Sequence, residues 1–181
     1  MLEIAVAIAL VLCLALAVVL IRASRQPDTF SYARSTVIDA PPERIFPLIA
    51  DPPTMNTWNP FNECPSIKGS YSGPEHGPGA RYTFASRKAG TGYTEIVEEE
   101  APRRLGIRLV MTKPMACDNR VEFRLEPSGR STRVTWAMTG PMTFMGKVMN
   151  QVIDCEKMCG THFERGLAKL KGLAERQHET A

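Results

Sequence analysis

An uninterrupted apolar run near the N-terminus constrains this chain more than any other feature. Ile4 to Ile21 contains no charged residue, no glycine and no proline. As an α-helix these 18 residues would be roughly 27 Å long, close to the thickness of the hydrocarbon core of a bilayer. A helix buried in a soluble domain is seldom apolar on every face. The run therefore predicts a membrane-spanning helix.

The residues flanking the run help to separate an anchor from a cleavable signal peptide. A signal peptide would begin with Lys or Arg and end at a small-x-small site. Here the N-terminal flank carries only Glu3, and the segment after the run reads Arg22-Ala-Ser-Arg25. A lipoprotein signal needs a small residue before its cysteine, but Leu12 precedes Cys13. An uncleaved anchor is favoured, and a cleaved signal stays open.

Charge predicts the orientation of the chain and excludes one class of partner. Arg22 and Arg25 follow the run and no basic residue precedes it, so the positive-inside rule predicts a cytoplasmic domain. The net charge of +3 is spread among acidic residues, so no nucleic-acid partner is expected. The remaining cysteines lack compact disulfide spacing, which suits a reducing compartment: Cys64, Cys117, Cys155 and Cys159.

The rest of the chain predicts one α+β domain. We expect an anchor over residues 1–22, a linker over 23–29, a domain over 30–176 and a tail over 177–181. Alternating segments separated by turn residues predict an antiparallel meander with one buried face. The predicted strands cover residues 30–38, 66–71, 80–86, 92–99, 104–111, 119–126 and 132–139. Two short helices follow the first strand, and a long helix is expected from about Phe144 to about Glu175.

Several phrases carry a resemblance to a known superfamily, and the strongest lie in the last strand and the last helix. The earlier phrases are Asp39-Ala-Pro-Pro-Glu-Arg-Ile-Phe46, Trp58-Asn-Pro-Phe61, Tyr71-Ser-Gly-Pro-Glu75 and Lys113-Pro-Met115. The two strongest are Thr132-Arg-Val-Thr-Trp-Ala-Met-Thr-Gly-Pro141 and Gly160-Thr-His-Phe-Glu-Arg-Gly-Leu-Ala-Lys-Leu-Lys171. With the element order, these resemble the helix-grip superfamily of START lipid-transfer, Bet v 1-like and polyketide cyclase/dehydrase proteins. The chain is especially similar to membrane-anchored polyketide-cyclase-like proteins.

The resemblance implies a curved sheet around the C-terminal helix, with a cavity for a hydrophobic ligand between them. Large, adaptable side chains suit such a cavity, although the same residues could fill a core. The candidate ligand-binding residues are Trp58, Tyr82, Phe84, Thr94, Glu98, Met111, Trp136, Met138, Met149, Val152, Cys155 and Cys159. Trp58, Phe61 and the loops around 73–79 and 113–119 are expected to form the rim.

Metal and cofactor chemistry are not expected. Cys155, Cys159 and His162 share one face of the predicted helix, but Cys155 and His162 would lie about 10 Å apart along its axis. Buried thiols are the simpler interpretation. No nucleophile-elbow motif or phosphate-binding glycine loop accompanies the histidines. No catalytic residue and no cofactor is assigned.

Three functions remain open at this point. The first is membrane-tethered binding or transfer of a lipid, quinone or polyketide in the cavity. The second is a cyclase or dehydratase, in which Glu98, Tyr82 or Arg108 would steer a hydrophobic substrate. Of these, Glu98 is expected to face inward as a buried carboxylate. The third is an interaction domain whose partner covers the outer face of the sheet. The residues do not indicate an oligomeric state.

Overall fold

A computed structural model describes residues 2–151 and 153–179 of the chain. The apolar run lies within a helix, α1 (Leu2–Ser24). Within α1, the segment Val6–Ser24 has the length and hydropathy of a bilayer span, a test that a signal sequence also passes. Ala23 is fully buried, whereas most of α1 is exposed. Only the C-terminal turns of α1 therefore pack against the rest of the molecule.

The remaining elements follow the predicted order. They are β1 (Thr29–Ile38), α2 (Pro42–Ala50), α3 (Pro52–Trp58), a 3₁₀ turn (Pro60–Asn62), β2 (Lys68–Ser72), β3 (Arg81–Ser86), β4 (Gly90–Glu100), β5 (Arg104–Lys113), β6 (Cys117–Ser128), β7 (Ser131–Pro141), α4 (Phe144–Met149) and α5 (Cys155–Glu179). The strands form one antiparallel sheet in the order β1-β7-β6-β5-β4-β3-β2. The curved sheet with its long C-terminal helix confirms the predicted α+β helix-grip fold.

The two ends of the sheet differ in what they carry. One end lies next to the C-terminus of α1, and we call it the α1 end. It contains Thr29, which lies five residues after the last residue of α1, and Pro141, the residue of β7 that pairs with Thr29. Because neighbouring strands are antiparallel, the α1 end also holds the ends of β3 and β5 and the starts of β2, β4 and β6. Helix α5 begins at this end too, since its early residues Glu156 and Glu164 pair with Arg34 in the middle of β1, whereas its later residue Lys171 reaches Val37 near the end of β1.

The opposite end of the sheet, the far end, is filled by side chains. Lys171 of α5 donates to the carbonyl oxygen of Val37 at this end, so α5 runs parallel to β1. The largest side chains packed here have essentially no exposed surface: Ile38, Ile45, Leu105, Val134 and Leu170. The space between the sheet and α5 is therefore closed at the far end.

The predicted long helix is interrupted between residues 150 and 154. The Asn150 Oδ1 accepts from the backbone N–H of Cys155, at 3.4 Å. The Asp154 Oδ1 accepts from the backbone N–H of Lys157, at 2.8 Å. Asn and Asp side chains that bond nearby backbone groups compete with helix continuation. The long helix predicted from about Phe144 to about Glu175 is therefore divided into α4 and α5.

Candidate functional site

A cavity of about 460 Å³ lies between the inner face of the sheet and α5. Its boundary reaches Met111 and Asn119 near the α1 end and includes Cys159 and Phe163 of α5. The lining is mainly apolar: Met55, Phe61, Tyr82, Phe84, Ile107, Leu109, Met111, Val121, Phe123, Trp136, Met138 and Phe163. Because side chains fill the far end, the open space lies towards the α1 end.

The segment between α3 and β2 positions one edge of the cavity. The Asp51 carboxylate caps α3 by accepting from the backbone N–H of Thr54, at 2.8 Å. After α3, the Asn59 Oδ1 accepts from the backbone N–H of Phe61, at 3.1 Å, which begins the 3₁₀ turn. Phe61 is 42% exposed and stacks on His162 of α5, with ring centroids 4.9 Å apart. The pair forms part of the cavity mouth.

Seven of the sequence-predicted site residues line this cavity: Tyr82, Phe84, Thr94, Met111, Trp136, Met138 and Cys159. They come from β3, β4, β5, β7 and α5, so only the tertiary fold brings them together. Their side chains enclose space as well as filling core. Binding of a ligand by these residues stays a prediction.

The sequence predicted Trp58 on the rim of the cavity, but the structure buries it. Its side chain is 1% exposed, and Nε1 donates to the carbonyl oxygen of Leu48 at 2.8 Å. The ring contacts Phe123 and Trp136 edge-on, at centroid distances of 6.0 and 5.7 Å. Trp58 therefore supports the cavity lining from behind. The predicted rim loop at 73–79 borders a separate depression beside Asp51.

The prediction that Glu98 faces inward is wrong. A register shift between Ile96 and Glu98 marks a β-bulge, which places Glu98 opposite Gly106 on the outer face. There its carboxylate pairs with Arg104 and Arg120. Arg108 also lies on the outer face, where it pairs with Asp118 at 2.6 Å. This pairing lowers the pKa of Asp118, through hydrogen bonding first and charge second.

Two further candidates from the chain's C-terminal region, Met149 and Cys155, do not line the described cavity. Met149 lies in α4, separated from α5 by the interruption. Cys155 packs against the core beside Tyr32 instead of lining the cavity. Burial, followed by the nearby thiols, raises the pKa of Tyr32 to about 12. Val152 lies outside the described residues.

Two buried polar atoms on lining residues have no hydrogen-bond partner among the described residues. They are the Trp136 Nε1 donor and the Asn119 Oδ1 acceptor. Trp136 is 3% exposed and stacks on Phe163 with centroids 4.6 Å apart. Burying such groups without a partner is costly. A ligand with its own acceptor and donor atoms would relieve that cost.

A polar network lies along the mouth. The Asn62 amide donates to Asn56 at 2.5 Å, and the Asn56 amide donates to the Tyr71 hydroxyl at 2.9 Å. Tyr82 is one of the ionisable groups in the lining, and burial raises its pKa. The lining residues include no carboxylate, lysine or arginine. The described part of the cavity is thus suited to a neutral, mainly apolar guest.

Two thiols in the lining differ in their surroundings. The Cys64 Sγ lies 3.1 Å from the Ser66 hydroxyl, and this hydrogen bond lowers the pKa of the thiol. Burial raises the pKa of Cys159. Within the described residues, no group of three or more His, Cys, Asp or Glu side chains is placed to hold a metal ion.

Asn119 is the lining residue that sequence reasoning missed and that matters most chemically. A signal was available, because Asn119 begins the alternation that continues through Val121, Phe123 and Leu125 on the inner face. Leu109 belongs to the equivalent pattern in β5. Cys64 had no comparable signal, since it lies in a loop whose path only the tertiary structure determines.

Comparison with known proteins gives the following matches. The family described as polyketide cyclase / dehydrase and lipid transport matches residues 29–175. No curated protein matches the chain. Protein MLL2253 from Mesorhizobium loti superposes with a TM-score of 0.61 at 15% identity, covering 81% of this chain and 98% of its own. TTHA0849 from Thermus thermophilus gives a TM-score of 0.60 at 17% identity, and the match covers 82% of this chain and 99% of TTHA0849. Ara h 8.0201 superposes with a TM-score of 0.54 at 10% identity, and the match covers 82% of this chain and 99% of Ara h 8.0201. At these identities the structural likeness shows the fold alone.

Proposed function

This chain belongs to the polyketide cyclase / dehydrase and lipid transport family, and from that premise we propose that it binds a small hydrophobic ligand beside a membrane. The ligand would be a lipid, a quinone or a polyketide, held between the sheet and α5. Helix α1 would anchor the chain in the bilayer with the domain in the cytoplasm. The observation that carries this proposal is the apolar cavity of about 460 Å³ towards the α1 end.

The size and lining of the cavity support binding. Volumes between roughly 300 and 1,000 Å³, lined by apolar side chains with a few polar groups, are typical of small-molecule sites. Here the apolar lining surrounds the unpartnered Trp136 Nε1 and Asn119 Oδ1. The best-fitting ligand therefore has an apolar body and a carbonyl, hydroxyl or amide group near one of these atoms.

The enzymatic alternative lacks the convergence of polar groups that it requires. Of its three proposed residues, Glu98 and Arg108 are held in ion pairs on the outer face. Tyr82 alone lies in the cavity lining. The observed arrangement thus favours binding or transfer over cyclase chemistry. The outer-face alternative is also less favoured, because paired charged side chains cover much of that surface.

Native mass spectrometry of the full chain extracted from membranes tests the proposal. We expect a bound small molecule of constant mass that is released on unfolding and extracts into organic solvent. The Leu109→Trp variant should carry less of it, because the larger side chain would occupy the cavity. An unliganded mass for the unmodified chain would contradict stable binding.

A matched variant separates cavity filling from a general effect on the sheet. Val110 is the next residue of β5, opposite Tyr93 and Asp118, and it is not part of the cavity lining. Val110→Trp adds the same side chain to the other face of the strand. It should retain the ligand at the level of the unmodified chain. Equal loss in both variants would count against the cavity as the binding site.

A further inference from the structure

A groove at the α1 end collects unpaired positive charge next to the cavity. It has a volume of about 780 Å³, and we name it the basic groove after its four cations: Lys68, Arg87, Lys88 and Lys113. All four side chains belong to exposed residues, and none forms an ion pair with a residue that the structure describes. Its remaining lining residues are uncharged.

The basic groove adjoins the cavity along three parts of the chain. Lys113 follows Met111 by two residues, Gly90 follows Ala89, and Ser66 follows Cys64 by two residues. Lys113, Gly90 and Ser66 line the basic groove, whereas Met111, Ala89 and Cys64 line the cavity. Register places this junction at the α1 end, because Ser86 pairs with Gly90 and Thr91 pairs with Lys113.

Exposed apolar side chains concentrate at the same end. Outside α1, nine large hydrophobic side chains of the described residues are exposed, and five of them belong to segments at the α1 end: Met115, Phe144, Met145, Ile153 and Met158. Single exposed apolar residues are ordinary, but this end combines several with uncompensated cations. Apolar tips flanked by lysine and arginine are typical of surfaces that lie on anionic lipid.

Of the acidic residues near this end, Asp28, Asp118 and Glu63 are held in ion pairs with cations outside the basic groove. Asp28 pairs with Lys147 at 2.5 Å, and Asp118 pairs with Arg108 at 2.6 Å. Glu63 pairs with Arg165 and Lys169. Their carboxylates are therefore engaged elsewhere, which leaves the groove free to attract anionic groups.

We propose that the α1 end is a docking face for an anionic bilayer surface, with the basic groove on phosphate headgroups and Met115, Phe144 and Met145 in the interfacial layer. This inference rests on the proposed anchoring of α1 and adds the lipid charge and the face that meets it. Docking in this way places the junction between groove and cavity against the bilayer. A ligand could then pass between lipid and cavity without crossing bulk water.

The test uses the full chain in nanodiscs of phosphatidylcholine, with and without one quarter phosphatidylglycerol. A Met115→Cys variant is labelled with an uncharged, water-soluble maleimide, and peptide mass spectrometry follows the introduced thiol. We expect labelling to be about tenfold slower in the anionic discs, because each surface lysine contributes appreciably to anionic-lipid attachment. A Ser128→Cys variant, in the far-end hairpin between β6 and β7, should label equally in both discs.

Charge reversal supplies the matched comparison. Adding Lys68→Glu, Lys88→Glu and Lys113→Glu to the Met115→Cys variant should abolish the difference between the two discs. Adding Arg103→Glu, Arg130→Glu and Arg133→Glu changes the net charge equally but lies at the far end, so the difference should persist. Equal labelling of the unreversed chain in both discs, or equal effects of the two triple changes, would overturn the docking face. A chain that fails to elute with the discs would overturn anchoring and docking together.

Discussion

Two buried tryptophans differ in the surroundings of one atom. The Trp58 Nε1 donates to the Leu48 carbonyl, whereas the Trp136 Nε1 has no partner among the described residues. Both rings pack in the same aromatic cluster, with Phe123 touching each. The protein itself thus satisfies the first indole, whereas the second is buried without a hydrogen bond.

Replacing each tryptophan with phenylalanine should separate these roles. Trp58→Phe leaves the Leu48 carbonyl without its donor, while Trp136→Phe removes a donor that was already unpaired. We expect Trp58→Phe to lower the free energy of unfolding more, by about 1–2 kcal/mol. Denaturant unfolding of the chain in detergent micelles measures the difference.

Ligand retention should follow the opposite order. We expect Trp136→Phe to weaken binding of the co-purifying ligand several-fold, as loss of one hydrogen bond of about 1 kcal/mol implies. Trp58→Phe should leave retention nearly unchanged wherever the variant is folded. Native mass spectrometry compares the two, and equal retention would remove Trp136 Nε1 from the proposed ligand contacts.

At the scale of elements, α5 carries a glycine where it packs closely against the sheet. A Cβ atom built on Gly166 would lie 2.6 Å from Cζ3 of Trp136 and 3.0 Å from Cδ of Pro60. A Cβ atom on Gly172 would meet only Nη1 of Arg176, at 3.5 Å. The structure assigns Gly166 to close packing against the cavity lining.

The two glycines should respond to alanine with opposite signs. Gly166→Ala is expected to lower the free energy of unfolding by roughly 1–3 kcal/mol, because Trp136 must shift. Gly172→Ala should raise it by up to about 1 kcal/mol through helix propensity. Parallel denaturant unfolding of the two variants measures both. A stabilising Gly166→Ala would show that α5 can retreat from the sheet without cost.

Helix α4 is tied to the linker by one ion pair. The Lys147 side chain is buried, and its Nζ lies 2.5 Å from the Asp28 carboxylate. Hydrogen bonding to Lys147, followed by its charge, lowers the pKa of Asp28 below the ordinary value of 3.8. A carboxylate with a lowered folded-state pKa stabilises the fold above its unfolded pKa, and the stabilisation is lost as pH falls through the folded value.

Asp28→Asn should therefore lower the Tm at pH 7, and the Tm gap between the two proteins should narrow as pH falls through the lowered pKa of Asp28. Thermal unfolding at a series of pH values measures the gap between the two proteins. Glu126→Gln is the control, because Glu126 is exposed and forms no ion pair with a described residue. A gap that persists unchanged at the lowest pH would show that the carboxylate charge is not its cause.

For the whole molecule, the central question is whether α1 remains in a bilayer. Leu10 and Leu14 are exposed near the middle of the apolar run. A lysine near the centre of a span costs roughly 2.5–3.5 kcal/mol of insertion free energy, so Leu10→Lys with Leu14→Lys should prevent stable insertion. We expect the unmodified chain to stay in the membrane pellet after alkaline carbonate extraction and the double variant to be released.

The control adds the same charge to exposed positions of the sheet, as Thr83→Lys with Ser128→Lys. This variant should stay in the pellet. Intact mass of the membrane-bound chain separates an anchor from a signal peptide. Loss of about the first 25 residues from the mature protein would contradict the anchor.

Features that depend on local pattern were predictable from the residues alone. Continuous apolarity in Ile4 to Ile21 indicated a bilayer-length helix, and alternation indicated the strands and their buried face. The phrases from Thr132 to Pro141 and from Gly160 to Lys171 indicated the family and hence the fold, both of which are confirmed. The same alternation of side chains, which repeats every two residues along a strand, predicted that Tyr82 and Met138 face inward.

Features that depend on long-range register, and on where space is left between side chains, became visible only in three dimensions. One bulged residue moved Glu98 to the outer face, and two side-chain caps divided the predicted long helix. Only three-dimensional packing shows that the far end is filled while the α1 end is open, and that Asn119 and Cys64 reach the cavity. Local periodicity fixes which way a side chain points along its own strand. It cannot fix which distant residues meet it, because that depends on the volumes of all the side chains packed between the sheet and the helix.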